Sequence, residues 1–446
     1  MDASKSTFTI SCHCGATRQL LTPRSNHDAL SDASFCHCDT CRHLTGLLCT
    51  SYVPISSDPA PSLAGLERFS TSPSSTRYFC STCGCHVFRA RHSSPSSPAE
   101  DWEWEVATGV ITGAPNSRLP KQWKHLHVDD TLDGGLSPWL PNNNNNGNSR
   151  SPPHTSPAAT SSSNDTLHAS CHCTSISLQI TRPSPDPTLN PDSPYPDLLL
   201  PYHSTSSSAV SNPSHEKWYL CPSPPPPTSN TDNDNNTGPK QIPKYLSGTC
   251  ACPSCRLTSG FEIQTWAFIP RQNIFISLSS PSYPSSSSPL SSSSSNSTVI
   301  INQRSEEQQQ QQQYEPLDFS PLRRTTTTAT TSPLKSYESS PGRIREFCAR
   351  CGATVFWHDG FRPDLIDVSV GLLRAPEGAR AEGWLEWWTG RVSFSEEAGK
   401  GRAGGAKSWG EGVVGELEGR FAGRAQEQAA AATVGRVRDW NGCKKI

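Results

Sequence analysis

Phe35-Cys36-His37-Cys38-Asp39-Thr40-Cys41-Arg42 and Thr249-Cys250-Ala251-Cys252-Pro253-Ser254-Cys255-Arg256 share one spacing, CxCxxCR, and each stands in the middle of a longer ordered set. On the N-terminal side lie Ser11-Cys12-His13-Cys14 and Ser170-Cys171-His172-Cys173. On the C-terminal side lie Phe79-Cys80-Ser81-Thr82-Cys83-Gly84 and Phe347-Cys348-Ala349-Arg350-Cys351-Gly352. The order CxC, CxCxxC, CxxCG therefore occurs twice, and a repeat of this kind decides the fold before any single element does. It continues outside the cysteines, with Thr45-Gly46 against Ser259-Gly260 and Val106-Ala107-Thr108-Gly109-Val110 against Val368-Ser369-Val370-Gly371-Leu372.

Two copies of one domain are expected, over 8–140 and 168–395, with a linker at 141–167 and a Gly/Ala/Arg-rich tail at 396–446. The second set is stretched relative to the first by 55 and then 54 residues, at the polar segments 183–243 and 279–341. Those segments and the linker are runs of Ser, Pro, Asn, Gln and Thr, which bury too little apolar surface to offset the entropy of ordering. They read as disordered insertions. In the tail, Leu417, Phe421 and Ala425 at i, i+4 spacing predict one marginal helix.

The remaining segments read as short strands. Ser175 to Ile180 alternates Ile176, Leu178 and Ile180 with polar neighbours, the period of a half-buried strand. Gly260 to Ile269 does the same with aromatic and β-branched residues, and Leu48 to Val53 is its counterpart. The fold class expected is mainly β, two tandem zinc-containing domains of antiparallel sheets.

Composition narrows the chemistry. The 446 residues carry a net charge of −2 and no basic tract, which argues against nucleic acid as a partner. No run of about 18 apolar residues crosses a membrane, and Met1 to Phe8 has no signal-peptide character. A cytoplasmic chain, with the nucleus as the other compartment, keeps its 18 cysteines reduced, and clustered thiols there bind metal or react.

Fourteen of those cysteines fall in the repeated motifs, seven in each copy. Structural zinc takes four ligands in a closed tetrahedron, and catalytic zinc takes three with one position open. Four plus three is the natural partition. A CxxCG turn aims two thiolates at one metal, and a CxC pair on a strand points both side chains the same way. Cys12, Cys14, Cys80 and Cys83 form one structural site, and Cys171, Cys173, Cys348 and Cys351 its equivalent. Cys36, Cys38 and Cys41, and Cys250, Cys252 and Cys255, then stand as metal-binding, catalytic triplets. Three thiolates weaken zinc as a Lewis acid, so such a site suits binding a sulfur ligand better than activating water. The competing reading closes each triplet with a fourth protein ligand, for which His37, His43, Cys49 and Cys85 are the first copy's candidates. Lys121, Lys124, His125 and His127 read either as an anion site for glutathione carboxylates or as a solvated strand end.

The ordered set CHC(G), CxCxxCR…TG, FCxxCG…F and VxxG resembles the glutathione-dependent formaldehyde-activating enzyme family, which also includes centromere protein V. The resemblance implies a β-tent fold, up to two Zn²⁺ per domain and a carbon–sulfur lyase activity, in the type member the reversible joining of formaldehyde to the sulfur of glutathione. It places the catalytic zinc on Cys36, Cys38 and Cys41 and on Cys250, Cys252 and Cys255, with a small thiol, glutathione or its adduct, as partner. The alternative it leaves open is a non-catalytic zinc module in chromatin association or protein–protein contact. The second copy departs from the pattern at Thr174, in place of Gly15, and at Pro253 inside the triplet motif.

Overall fold

Of the 446 residues, the computed structural model describes 7–24, 29–92, 102–115, 119–120, 123–141, 166–184, 186–222, 243–279, 313–322 and 332–433. In the first half, Phe8 and Ile10 are buried and Thr9 between them is exposed, so β1 (Phe8–Ser11) lays one face on the core and pairs with β2 (Arg18–Leu21). There follow β3 (Ser34–Cys36), α1 (Asp39–Thr45), β4 (Thr50–Ile55), β5 (Leu66–Ser72), β6 (Ser75–Cys80), β7 (His86–Arg91), β8 (Glu103–Ala107), β9 (Ile111–Ala114) and β10 (Lys124–Leu126). The large sheet has the order β10-β3-β4-β8-β7-β6-β5, antiparallel throughout except for β10 beside β3.

The second half begins with β11 (Thr166–Ser170), β12 (Ile176–Thr181), α2 (Ser207–Val210), β13 (Leu220–Cys221), β14 (Lys244–Cys250) and α3 (Pro253–Ser259). It continues with β15 (Gln264–Pro270), β16 (Ile274–Leu278), β17 (Glu315–Pro316), α4 (Phe319–Leu322), β18 (Leu334–Ser340), β19 (Arg343–Cys348), β20 (Thr354–Asp359), β21 (Leu365–Ser369), β22 (Leu385–Trp387), β23 (Ala403–Gly404) and α5 (Gly405–Thr433). Its large sheet runs β14-β15-β21-β20-β19-β18, the order of β3-β4-β8-β7-β6-β5, and β22 lies parallel to β14 as β10 does to β3. The mainly-β expectation holds, with several antiparallel sheets. Among the described residues no helix is long and apolar enough to cross a membrane.

Two expectations are corrected. Residues 186–222, read from composition as part of a solvated insertion, instead bury Tyr195, Leu198, Trp218 and Tyr219, with Trp218 edge-on to Phe268 at 5.2 Å. The aromatics are spaced too widely for a composition average to register, yet they converge on one patch of the sheet. Likewise, 334–340 is strand β18 rather than insertion. Within the same expected insertion, 313–322 carries β17 and α4 and buries Leu317, whereas the linker residues 142–165 and the segments 223–242, 280–312 and 323–331 lie outside the described residues. The tail helix is not marginal but a long α5, which buries Trp409, Val413, Leu417 and Phe421 at i, i+4 steps; the side chain of Ala425 lies outside the described residues. Trp409 stacks on Trp123 at 5.7 Å and Phe35 at 6.0 Å, and Phe421 meets Trp139 at 5.5 Å. Helix α5 thus packs on first-half residues, and β23 adds a strand to β9.

Reciprocal contacts join the halves. Gly109 N–H donates to Gly260 O at 3.0 Å and Gly371 N–H to Gly46 O at 3.1 Å; His13 N–H donates to Leu257 O at 3.1 Å and His172 N–H to His43 O at 2.9 Å. Each bond has its counterpart with the halves exchanged, the signature of an isologous interface about an approximate two-fold axis. The backbones can approach because there is no side chain: a Cβ on Gly109 would lie 2.4 Å from Gly260 C, and one on Gly371 2.3 Å from Leu47 O. Gly109→Ala and Gly371→Ala are each expected to lower stability by about 1–3 kcal/mol, measured by denaturant unfolding, whereas Gly342→Ala, where a Cβ meets nothing within 4 Å, costs only its left-handed backbone strain, roughly 1–2 kcal/mol.

Candidate metal and thiol centres

In the first knuckle, β6 delivers Cys80 and a tight turn returns Cys83; Gly84 N–H closes it on Cys80 O at 2.9 Å with φ +74°. That left-handed value suits glycine. The CxC pair follows β1, and Sγ of Cys14 lies 3.5 Å from Sγ of both Cys12 and Cys80. Cys171, Cys173, Cys348 and Cys351 repeat the arrangement, with Cys173 3.5 Å from Cys171 and Cys348. In each group all four sulfurs lie within 4.8 Å of one another. A metal–sulfur bond of about 2.3 Å requires tetrahedron edges of about 3.8 Å, so both groups fit a tetrahedral ion. Gly15 has φ +77°, and at the corresponding position Thr174 is held at φ +59°. A β-branched residue is strained there.

The triplets are built by helix capping. Strand β3 ends at Cys36, Cys38 caps α1 by accepting from Cys41 N–H at 3.4 Å, and the first turn presents Cys41 beside them. Cys252 caps α3 in the same way, accepting from Cys255 N–H at 3.3 Å. Pro253 occupies the first helical position, where no N–H is needed, so its difference from Asp39 fits the geometry. The sulfurs of Cys36, Cys38 and Cys41 lie within 4.8 Å of one another, as do those of Cys250, Cys252 and Cys255. The outer two cysteines of each triplet are buried, whereas Cys38 and Cys252 are half-buried. Among the described residues no fourth Cys, His, Asp or Glu completes either group.

The four candidate fourth ligands point elsewhere. His37 Nε2 lies 2.9 Å from His125 Nδ1 and 3.7 Å from Cys49 Sγ, while Cys85 Sγ donates to His86 O at 3.6 Å. His43 is buried against the second half, and burial pushes its pKa down to about 3. The basic run does not converge: Lys124 is exposed, His125 turns inward to Pro141 O at 3.0 Å, His127 is exposed, and Lys121 lies outside the described residues. His13 and His172 turn away from their own knuckles, His13 to the Tyr337 hydroxyl at 2.8 Å and His172 edge-on to Phe69 at 5.7 Å. The fourteen motif cysteines are free thiols, but Cys221 is disulfide-bonded, against the expectation that all 18 cysteines stay reduced.

Two site residues escaped the sequence reading. Arg77 Nη2 donates to Cys41 Sγ at 3.0 Å, and Arg345 Nη2 to Cys255 Sγ at 3.3 Å. Both arginines are buried, and Nε and Nη1 of Arg77 and Nε of Arg345 have no hydrogen-bond partner among the described residues. Hydrogen bonds from Cys36 and Cys38, and then the charges of Arg77 and Arg89, hold the Cys41 thiol well below its usual range. Cys250, Cys252 and then Arg345 do the same for Cys255. The available signal was the shared R-x-F-C that leads into each knuckle, Arg77-Tyr78-Phe79-Cys80 and Arg345-Glu346-Phe347-Cys348.

Residues 7–118 match the family described as glutathione-dependent formaldehyde-activating enzyme. The match covers 112 of the 446 residues, all within the first half, and the described family is one of enzymes with glutathione-related chemistry. Comparisons with curated proteins and with solved structures found no match. Thr174→Gly is expected to stabilise the chain by roughly 1 kcal/mol, since relief of left-handed strain exceeds the added entropy of glycine in the unfolded state. Gly15→Thr should shift the same denaturation midpoint the other way.

Proposed function

We propose that this chain is a zinc-dependent carbon–sulfur lyase acting on glutathione or other thiol adducts, built from two copies of one domain over 8–140 and 168–395. The observation that carries the reading is the pair of three-thiolate groups, each without a fourth protein ligand among the described residues and each touched by a buried arginine. Cys12, Cys14, Cys80 and Cys83, with Cys171, Cys173, Cys348 and Cys351, would hold structural zinc, and the triplets would hold a zinc with one position open. When bound there, zinc supplies a position at which a substrate thiol loses its proton and is held as thiolate.

The chain's own residues set the rest. Cys38 and Cys252, the half-buried members, mark the approach for substrate. Arg77 and Arg345 donate to the innermost thiolate, drawing electron density from it and offsetting the excess negative charge of three sulfurs around a dication. In the joining direction the thiolate sulfur attacks the aldehyde carbon, a C–S bond forms, the C=O π pair moves to oxygen, and that oxygen takes up the proton the thiol gave up. Cleavage is the reverse.

Metal analysis of the purified chain should return up to four zinc, and glutathione should perturb the metal at the triplets. A count near two, with no response to glutathione, would point to a non-catalytic module. Arg77→Met together with Arg345→Met is expected to lower zinc affinity at the triplets or thiol-adduct turnover by roughly 10- to 100-fold while the knuckles keep their two zinc.

A further inference from the structure

The two triplets share their inner arginine but not the wall beyond it. In the first half a cross-strand row runs Arg77, Arg89, Glu105, with Arg89 Nη2 donating to Glu105 Oε1 at 2.7 Å. Both guanidinium groups lie over the Tyr52 ring, at 5.1 and 4.6 Å from its centre. The wall near Cys41 is therefore polar, with Arg77 beside a paired Arg89 and Glu105.

The same row in the second half runs Arg345, Trp357, Asp367. An indole replaces the second guanidinium, and Asp367 is paired instead with Arg362 at 3.2 Å, on the far side of Trp357, whose ring Arg362 covers at 5.2 Å. Trp266, opposite Gly248 as Tyr52 is opposite Ser34, replaces the tyrosine. Cys250, Cys255 and Trp266 form a separate small apolar cluster, with Cys252, Trp357 and Phe394 packed on it at its half-buried rim.

Phe394 has no counterpart in the first-half row and is held in place by the segment that sets the second half apart. Asp197 Oδ2 accepts from Phe394 N–H at 2.9 Å, Ser393 Oγ at 2.9 Å and Arg391 Nη2 at 3.0 Å, and Tyr202 stands edge-on to the Phe394 ring at 6.0 Å. Phe394 itself sits at φ +56°, a strained value for a phenylalanine that the Asp197 contacts enforce. Residues 186–222 thus supply a lip to the second centre.

From this we infer that the two centres divide the substrates: the first takes polar, charged thiols such as glutathione, and the second takes thiols, or their adducts, that carry an aromatic or other apolar group, seated between Trp357, Trp266 and Phe394. This rests on the reading of the triplets as thiol-binding metal centres. A buried guanidinium offers partners to carboxylates and amides, whereas an indole and a phenyl ring offer only apolar area and edge contacts. A tripeptide thiol would lose hydration at the second centre without recovering it.

The full-length chain loaded with cobalt(II), whose visible bands report ligand exchange at thiolate sites, tests this with glutathione and 2-phenylethanethiol as probes. The phenyl thiol is expected to shift the bands of wild type and Cys38→Ser but not Cys252→Ser, and glutathione those of wild type and Cys252→Ser but not Cys38→Ser. Phe394→Ala should weaken the phenyl thiol about tenfold, as expected for removing one ring's worth of apolar contact, and leave the glutathione isotherm unchanged; the four-thiolate bands of the knuckles report that each variant is folded. Equal response of both centres to both thiols, or wild-type affinity for the phenyl thiol in Phe394→Ala, overturns the division and leaves thiol entry standing. No shift with either thiol overturns thiol entry itself, and the division with it.

Discussion

Two backbone hydrogen bonds, Gly109 to Gly260 and Gly371 to Gly46, hold the molecule's geometry together. Gly46 and Gly260 are the left-handed caps that end α1 and α3, so each bond ties the C-terminal end of a short helix in one half to the end of a sheet strand in the other. The N-terminal ends of the same helices position Cys38 and Cys41, and Cys252 and Cys255. Seven residues are too few for a helix to be stable alone. The direction in which each triplet faces is therefore fixed by the opposite half, and the absence of any Cβ at the contact is what allows it.

Much of this could be read from the residues. The ordered cysteine motifs located both knuckles and both triplets, because thiolate ligands must recur at the spacing of turns and strands. Short alternating runs located β12 and most of β15, although Gly260 to Ile263 serve the helix cap rather than the strand. What was missed depended on tertiary context. The contacts of Arg77 and Arg345 with Cys41 and Cys255 arise only once β6 and β19 are laid next to the helices. Around Trp409, Gly405, Gly410, Gly412 and Gly415 lower helix propensity. Burial against Phe35 and Trp123 overrides that preference.

The buried arginines also resolve a tension in the donor set. Three thiolates around a dication would carry a net charge of −1, which is costly to bury without a partner. A guanidinium in contact with one sulfur would bring such an assembly to neutrality, and its fork geometry can do so while donating elsewhere. In the first half the outer charges are also paired, Arg89 with Glu105, and in the second Arg362 with Asp367, so that both centres sit in balanced surroundings made from different residues.

The clamp at the chain's end bears on how the protein is made. Glu262 accepts from Arg402 Nη2 at 2.7 Å, Trp409 Nε1 at 3.1 Å and Thr108 Oγ1 at 2.7 Å, and β23 covers the edge of β9. Strand β9 leaves the ribosome nearly three hundred residues before β23 does, a delay of roughly 15–60 s at typical elongation rates. Throughout that interval the growing chain presents an unpaired strand edge and the uncovered rings of Phe35 and Trp123. The nascent first half is thus an intermediate whose strand edge and aromatic rings stay uncovered until β23 and α5 have been made.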